Sequence, residues 1–294
     1  MAHIVINEAF LQQLERLEML IKNNYAGVFG GSHKSKTFGS SCEFADFRDY
    51  MPGDDITKID WNAYARFDKL YQKLYYDERQ MHTRIYIDAS RSMEYGDGKK
   101  SELALRLAAA LAYLSVSAMD KVSIFAVRDG ILTDVAVGMF GKESYLSCIG
   151  ALNSVEFDGD SRISDAIFPT NVGKGDGMSI IISDFLTENN FEDAVTLLAD
   201  KKRDVVCLQI LAREELNPQI RGKMHLFDSE NAARTYKKNI DREIIGAYKK
   251  ALQYTIDRIR NHCAARDAEY LLIPADTSVE DVIFAKMIDM GVFK

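Results

Sequence analysis

Four cysteines, Cys42, Cys148, Cys207 and Cys263, lie far apart in 294 residues, and no two form a CxxC pair. That spacing suggests neither a zinc knuckle nor a redox pair, and scattered single thiols fit a reducing compartment. Basic charge is also short: 37 lysines and arginines against 44 acidic residues leave a net charge of −7. A general polyanion binder needs a basic surface, so no nucleic-acid partner is expected. The one local hint of a basic patch, "HKSK" at His33 to Lys36, reads as a solvated loop. Long apolar runs are missing too. The best candidate, "LALRLAAALAYLSVSAM" from Leu103 to Met119, contains Arg106 and reads as a buried helix rather than a membrane span. The N-terminal "MAHIVINEAFLQQLERLEML" lacks the basic, apolar and small-residue sections of a signal peptide. The expectation is a soluble, cytoplasmic protein with no membrane span.

What is present is ample material for a core. Apolar residues make up 47% of the chain, and the length suits one or two domains. In "NEAFLQQLERLEMLIKNN", Phe10, Leu14, Leu17 and Ile21 recur at helical spacing behind a plausible N-cap, Asn7. "AGVFGGSHKSKTFGSS" reads as loop. The aromatic and charged stretch after it has no clean period, apart from an expected strand near Leu70 to Tyr76. From His82 the texture changes. Apolar, β-branched runs ("HTRIYIDAS", "GMSIIISD", "RDVVCLQIL", "EYLLIPA") alternate with helical ones, and "KVSIFAV-RDG-ILTDVAV" reads as a hairpin on an Asp-Gly turn. This order predicts an α/β fold: a doubly wound, mostly parallel sheet covered on both faces, with one antiparallel edge strand. The expected division is an N-terminal helix with an irregular region over 1–81 and the α/β domain over 82–294.

In open α/β sheets ligands sit beyond the carboxyl ends of the strands. Two strands end in aspartate there, "TRIYID" at Asp88 and "SIIISD" at Asp184. Ser90 and Ser92 follow the first, Ser183 precedes the second carboxylate, and "FDGDSRISDAI" brings Ser161 before another helix. Few, partly charged oxygen donors of this kind suit a hard cation such as Mg²⁺, which takes six oxygens and keeps several waters. The plainer alternative is that aspartate and serine after a strand are helix caps and turn formers.

Two blocks resemble a known family. "GSSCEFADFRDYMPGDDITKIDWNAYARFDKLYQKLYYDER" is similar to the hallmark of the bacterial family called domain of unknown function 58, through Gly39, Arg48, Pro52, Gly53, Asp54, Asp55, Asp60, Trp61 and Arg66 among others. "DASRSM" resembles the first metal-site motif of a von Willebrand factor A-like domain, which that family fuses to the hallmark. The resemblance implies a metal-ion-dependent adhesion site in which Asp88, Ser90, Ser92, Ser161 and Asp184 hold Mg²⁺, or Mn²⁺ or Ca²⁺, and leave a position for a partner's carboxylate. Ser161 stands where the family usually has threonine, and Asp160 adds a carboxylate that either compensates or repels an acidic partner. The resemblance also implies a protein partner. Genes of this family commonly lie beside those for MoxR-type AAA+ ATPases, with which the family is thought to act in assembly or chaperone-like roles, on a client that offers an acidic residue.

Within the hallmark, "MPGDD" reads as a tight turn in which Pro52 presets φ, Gly53 permits a positive φ and Asp54 or Asp55 caps the next segment of chain. Trp61 and Tyr64 read as core or inter-domain anchors. Arg48, Asp60 and Arg66 read as a buried ion-pair network, with a partner-binding surface as the alternative. An enzyme is a rival to the adaptor. "GDGKKS" fails as a phosphate loop, because position 100 is lysine and position 93 methionine, and no GxSxG elbow is present. A second rival is a metal-free structural module, in which Arg91 either supplies the cation's charge or points to solvent.

Overall fold

The computed structural model describes residues 6–24, 33–38, 44–79, 81–96, 99–170, 172, 177–187, 190–227 and 235–288. Gly39 and Cys42 lie outside them. In chain order the elements are α1 (Glu8–Asn24), β1 (His33–Phe38), β2 (Phe44–Asp49), α2 (Trp61–Phe67), β3 (Tyr71–Arg79), β4 (His82–Asp88), α3 (Lys99–Ser117), β5 (Lys121–Arg128), β6 (Ile131–Met139), α4 (Gly141–Asn153), α5 (Ile163–Ile167), β7 (Met178–Ser183), α6 (Glu192–Asp200), β8 (Asp204–Leu211), α7 (Arg213–Leu216), β9 (Gly222–Phe227), β10 (Thr235–Ile240), α8 (Arg242–Ala264), β11 (Glu269–Pro274) and α9 (Val279–Val282). They form two compact units, one of 1–29 with 81–294 and one of 30–80. The smaller unit is thus inserted, along the chain, between α1 and β4. The division at about 81 is kept between the units, but α1, expected with the irregular region, belongs to the core of the larger unit.

The larger unit is built on a six-stranded sheet in the order β11-β8-β7-β4-β5-β6. All neighbours are parallel except β5 and β6, which are antiparallel, as the hairpin reading requires. The turn between them carries positive φ at both Asp129 (52°) and Gly130 (75°), the combination that lets a two-residue turn follow the strand twist. Side chains alternate across the central strand. Ile85 and Ile87 enter a core shared with α1, α3 and α4, while Tyr86 enters the opposite one with Ile167, Val195 and Ile259 from α5, α6 and α8. A strand buried on both faces reads as a continuous apolar run, which is why "IYI" and "SIIIS" show no polar alternation.

Helix α1 delivers Phe10, Leu14 and Leu17 into the first of these cores, and Asn7 caps it through the Phe10 amide (3.0 Å). At the amino end of the sheet Arg203 is buried. Its guanidinium donates to the carbonyls of His82 (2.5 Å) and Met178 (2.7 Å) and to the Ser179 hydroxyl (2.6 Å), tying β4 to β7. Cys148, Cys207 and Cys263 are buried free thiols.

The inserted unit holds a three-stranded antiparallel sheet in the order β1-β3-β2. β3 answers to the strand expected near Leu70 to Tyr76, whereas β1 falls in a stretch read as loop. Its pairing with β3 outweighs a glycine- and serine-rich local composition. The Met51–Asp54 turn forms as the residues dictate: the Asp54 amide donates to the Met51 carbonyl (3.0 Å), and Gly53 has φ 109°. Asp55 accepts from the Thr57 amide (3.0 Å), and Asp60 caps α2 through the amides of Asn62 (2.9 Å) and Ala63 (3.1 Å).

The core reading of Trp61 and Tyr64 and the network reading need correction. Trp61 is 58% exposed and Tyr64 41%; their rings meet each other edge-on at 6.2 Å and are not core residues. Arg48 pairs with Asp54 (2.8 Å) and Gln72 (2.8 Å), Asp60 pairs with Lys73 (3.3 Å), and Arg66 is exposed in the last turn of α2. The three residues expected to form one network therefore serve separate local roles. The larger unit also has a two-stranded ribbon, β9 with β10, in a segment that showed no strand signal.

Leu14, 1% exposed, should cost about 2–5 kcal/mol of stability when cut to alanine, whereas Trp61→Ala should cost about 1 kcal/mol or less; urea unfolding of the two variants compares them. His82 gives a pH signature. Burial, followed by Arg84, Arg203 and Lys121, lowers it from 6.5 to about 4. Because the unfolded chain takes up a proton that native His82 refuses, stability is full above about pH 6.5 and falls as the pH drops towards 4. The check is the His82 ring titration by NMR, with a midpoint near 4 expected.

Candidate functional site

The parallel strands β4 and β7 lie side by side, so the residues that follow them emerge at the same edge. Asp88, the last residue of β4, is fully buried, and both of its carboxylate oxygens are engaged. Oδ1 accepts from the Ser90 amide (3.0 Å), and Oδ2 accepts from the hydroxyls of Ser161 (2.7 Å) and Ser183 (2.5 Å). The Ser90 and Ser92 hydroxyls are 3.1 Å apart. Burial first, and then the charge of Asp184, raise Asp88 above the ordinary carboxylate range, while the three serine donors pull it back.

Two loops are stitched together above Asp88. The Asp158 amide donates to the Ala89 carbonyl (2.8 Å) and the Arg91 amide to the Gly159 carbonyl (3.1 Å). The Thr187 hydroxyl fastens the Ser161 carbonyl (3.0 Å) to the chain beyond β7. Arg91 turns outward, where its guanidinium pairs with Asp158 at the exposed rim. Asp160 also faces the rim, 3.6 Å from Arg162. Neither residue enters the cluster.

The group that does enter is Lys100, in the first turn of α3. Its side chain is wholly buried, and its ammonium donates to Asp184 Oδ2 (2.8 Å) and Glu215 Oε1 (2.7 Å). Burial alone draws Lys100 down, but Asp184 and Glu215 together outweigh it and hold the ammonium above its ordinary value. Glu215, on α7, is itself raised by burial against the pull of Lys100, and its second oxygen caps the Ala212 amide (2.7 Å). The other oxygen of Asp184 accepts from the Leu186 amide (3.0 Å), and the Asp184 carbonyl accepts from Gln209 (2.7 Å). Phe185 between them is buried at φ 51°, a conformation that costs a bulky residue about 1–2 kcal/mol and that fixes how the chain leaves β7.

All five residues expected at a metal site therefore lie at one sheet edge, together with three that were not assigned to it: Ser183, Lys100 and Glu215. A signal for Lys100 was present. A lysine in the first turn of a helix opposes the helix dipole, so a reason for it must lie elsewhere. Tested against Mg²⁺, Mn²⁺ or Ca²⁺, the donor types fit, but their arrangement does not. Asp88 and the hydroxyls satisfy one another, Asp88, Ser90, Ser161 and Asp184 are shut from solvent, and an ammonium already stands against Asp184.

A family model for the protein of unknown function DUF58 matches residues 46–255, most of the chain. The chain belongs to the DUF58 family. Relatives include an uncharacterized protein of Mycobacterium tuberculosis and one of Mycobacterium bovis, each 26% identical over 225 residues, which are 74% of this chain and 70% of theirs. Among solved structures, a von Willebrand factor type A protein from Catenulispora acidiphila is similar over 74% of this chain and 43% of its own (TM-score 0.40, 10% identity). An aerotolerance-related membrane protein from Bacteroides fragilis is similar over 71% of this chain and all of its own (TM-score 0.39, 18% identity). That neighbour is described as a membrane protein, and the expected cytoplasmic location is not retained. Among the described residues, no helix is long and apolar enough to cross a membrane.

Removing one donor to the buried Asp88 carboxylate tests this geometry. Ser183→Ala should lower stability by about 1–3 kcal/mol in chemical unfolding, because the carboxylate it leaves has no water to replace the hydroxyl.

Proposed function

We propose that this DUF58 chain is a non-enzymatic interaction module, an adaptor that engages a protein partner at the rim of loops over the strand-end cluster. The observation behind this reading is how the cluster spends its polar groups. A nucleophile needs a base aligned on it and access to substrate. Here Ser161 and Ser183 donate to Asp88, Ser90 contacts Ser92, and Lys100 is bound between two carboxylates, all out of solvent. Such a cluster fixes the shape of the loops above it. Those loops present Arg91 and Arg162 with Asp158 and Asp160, beside Arg128 at the end of β5 and Asp129 of the hairpin turn; we read this mixed-charge rim as the surface offered to an acidic residue on a client.

The family resemblance supports our choice of partner, a MoxR-type AAA+ ATPase, in assembly or chaperone-like maturation. Titration of the purified chain against the MoxR-type ATPase of the same organism, by calorimetry, tests the pairing. A micromolar complex is expected, weakened about tenfold or more by Arg91→Glu, which reverses an exposed charge beside the cluster. The absence of a complex would reject this partner. Phosphoester or peptide hydrolysis lost in Asp88→Asn would instead favour a hydrolase.

A further inference from the structure

We propose that the chain carries its own cation at the strand-end site: the Lys100 ammonium, held by Asp184 and Glu215, supplies the positive charge that a divalent ion would otherwise bring to Asp184, and it makes the site independent of metal. The inference concerns the charge balance of the site and is independent of any partner.

Three carboxylates, Asp88, Asp184 and Glu215, converge on this edge, and buried negative charges that close require a cation or a proton. The cationic groups nearest to them on other elements are accounted for. Arg91 is held by Asp158 and Arg162 lies by Asp160, both at the rim. Arg128 is exposed at the end of β5, and among the described residues Lys100 is the cation that reaches inside. It does so from a helix end whose partial positive charge repels it, and its side chain is 0% exposed. Locally the Tyr95 ring lies 5.7 Å from the ammonium, and the two carboxylates supply the stronger, distant reason for a lysine there.

The neighbouring oxygens have adapted to an ammonium. An ammonium donates hydrogen bonds, whereas a divalent ion accepts lone pairs from all sides. Asp184 offers one oxygen to Lys100 and the other to the Leu186 amide, and Glu215 divides itself likewise between Lys100 and the Ala212 amide. Asp88, one strand away, has both oxygens filled by an amide and two hydroxyls. A divalent ion binding Asp184 would meet the ammonium that stands 2.8 Å from Asp184 Oδ2, and one binding Asp88 would have to displace its hydroxyl and amide donors.

Thermal melts of the full chain decide the matter, run in EDTA and then in rising Mg²⁺ or Mn²⁺. The wild-type midpoint should not move. Lys100→Met keeps the stem but removes the charge; it should melt lower in EDTA and gain a saturable rise of about 5 °C or more with Mg²⁺ or Mn²⁺. That rise should vanish in Lys100→Met/Asp88→Ala. Lys100→Gln, which keeps a donor for the carboxylates, carries the same test if Lys100→Met does not fold. A saturable metal shift in the wild type, lost in Asp88→Ala, would overturn the proposal. So would a folded, neutral variant at position 100 that gains no metal response, because Lys100 would then be an ion pair unrelated to a metal position.

Discussion

The buried ammonium of Lys100, shared between Asp184 and Glu215, is the interaction on which the strand-end site depends. Isolated charges of either sign are too costly to leave in a protein interior. Asp184 reaches the sheet edge because β7 is a central strand, and central strands end out of solvent. Once a carboxylate is placed there, something positive must come to it. In this chain that group is covalently attached, at the start of α3, and so always present at the same concentration. Glu215 then balances the lysine from the far side, which draws α7 onto the same centre and links three consecutive parts of the sheet.

Asp88 solves the same difficulty by another route. It has no cation in contact. Two hydroxyls and an amide surround it, and its affinity for a proton is raised. The two carboxylates, on adjacent strands, thus differ in kind. One is held by opposite charge and the other by hydrogen bonds. The serines that look like ligands in the sequence act here as donors, and this explains why the loops bearing them are tied together by backbone hydrogen bonds rather than left open.

Much of this was legible in advance. Strand-end aspartates, the hairpin turn at Asp129 and Gly130, the cap at Asn7 and the Pro52–Gly53 turn are local events, decided by residues a few positions apart. Ser161 was visible because a serine before a helix in an α/β chain falls at the right edge. The rest depended on partners remote along the chain. Lys100 lies 84 residues from Asp184 and 115 from Glu215, and nothing near it signals a carboxylate. The outward turn of Arg91 depends on Asp158, 67 residues away. Strands β1, β9 and β10 carry no clean apolar alternation, and pairing alone makes them strands. Trp61 misled because a lone tryptophan in an aromatic stretch suggests burial, whereas the short α2 has no buried face of its own.

The place of the inserted unit has a consequence for how the chain is made. α1 leaves the ribosome before 30–80, and the sheet and the α3 surface that bury Phe10, Leu14 and Leu17 are translated only after that insert has emerged. The nascent helix must therefore wait with its greasy side uncovered, while the insert can close its own three strands in the meantime. Synthesis order thus leaves the apolar stripe of α1 without its packing surface until α3 has emerged, an interval in which a holdase could act.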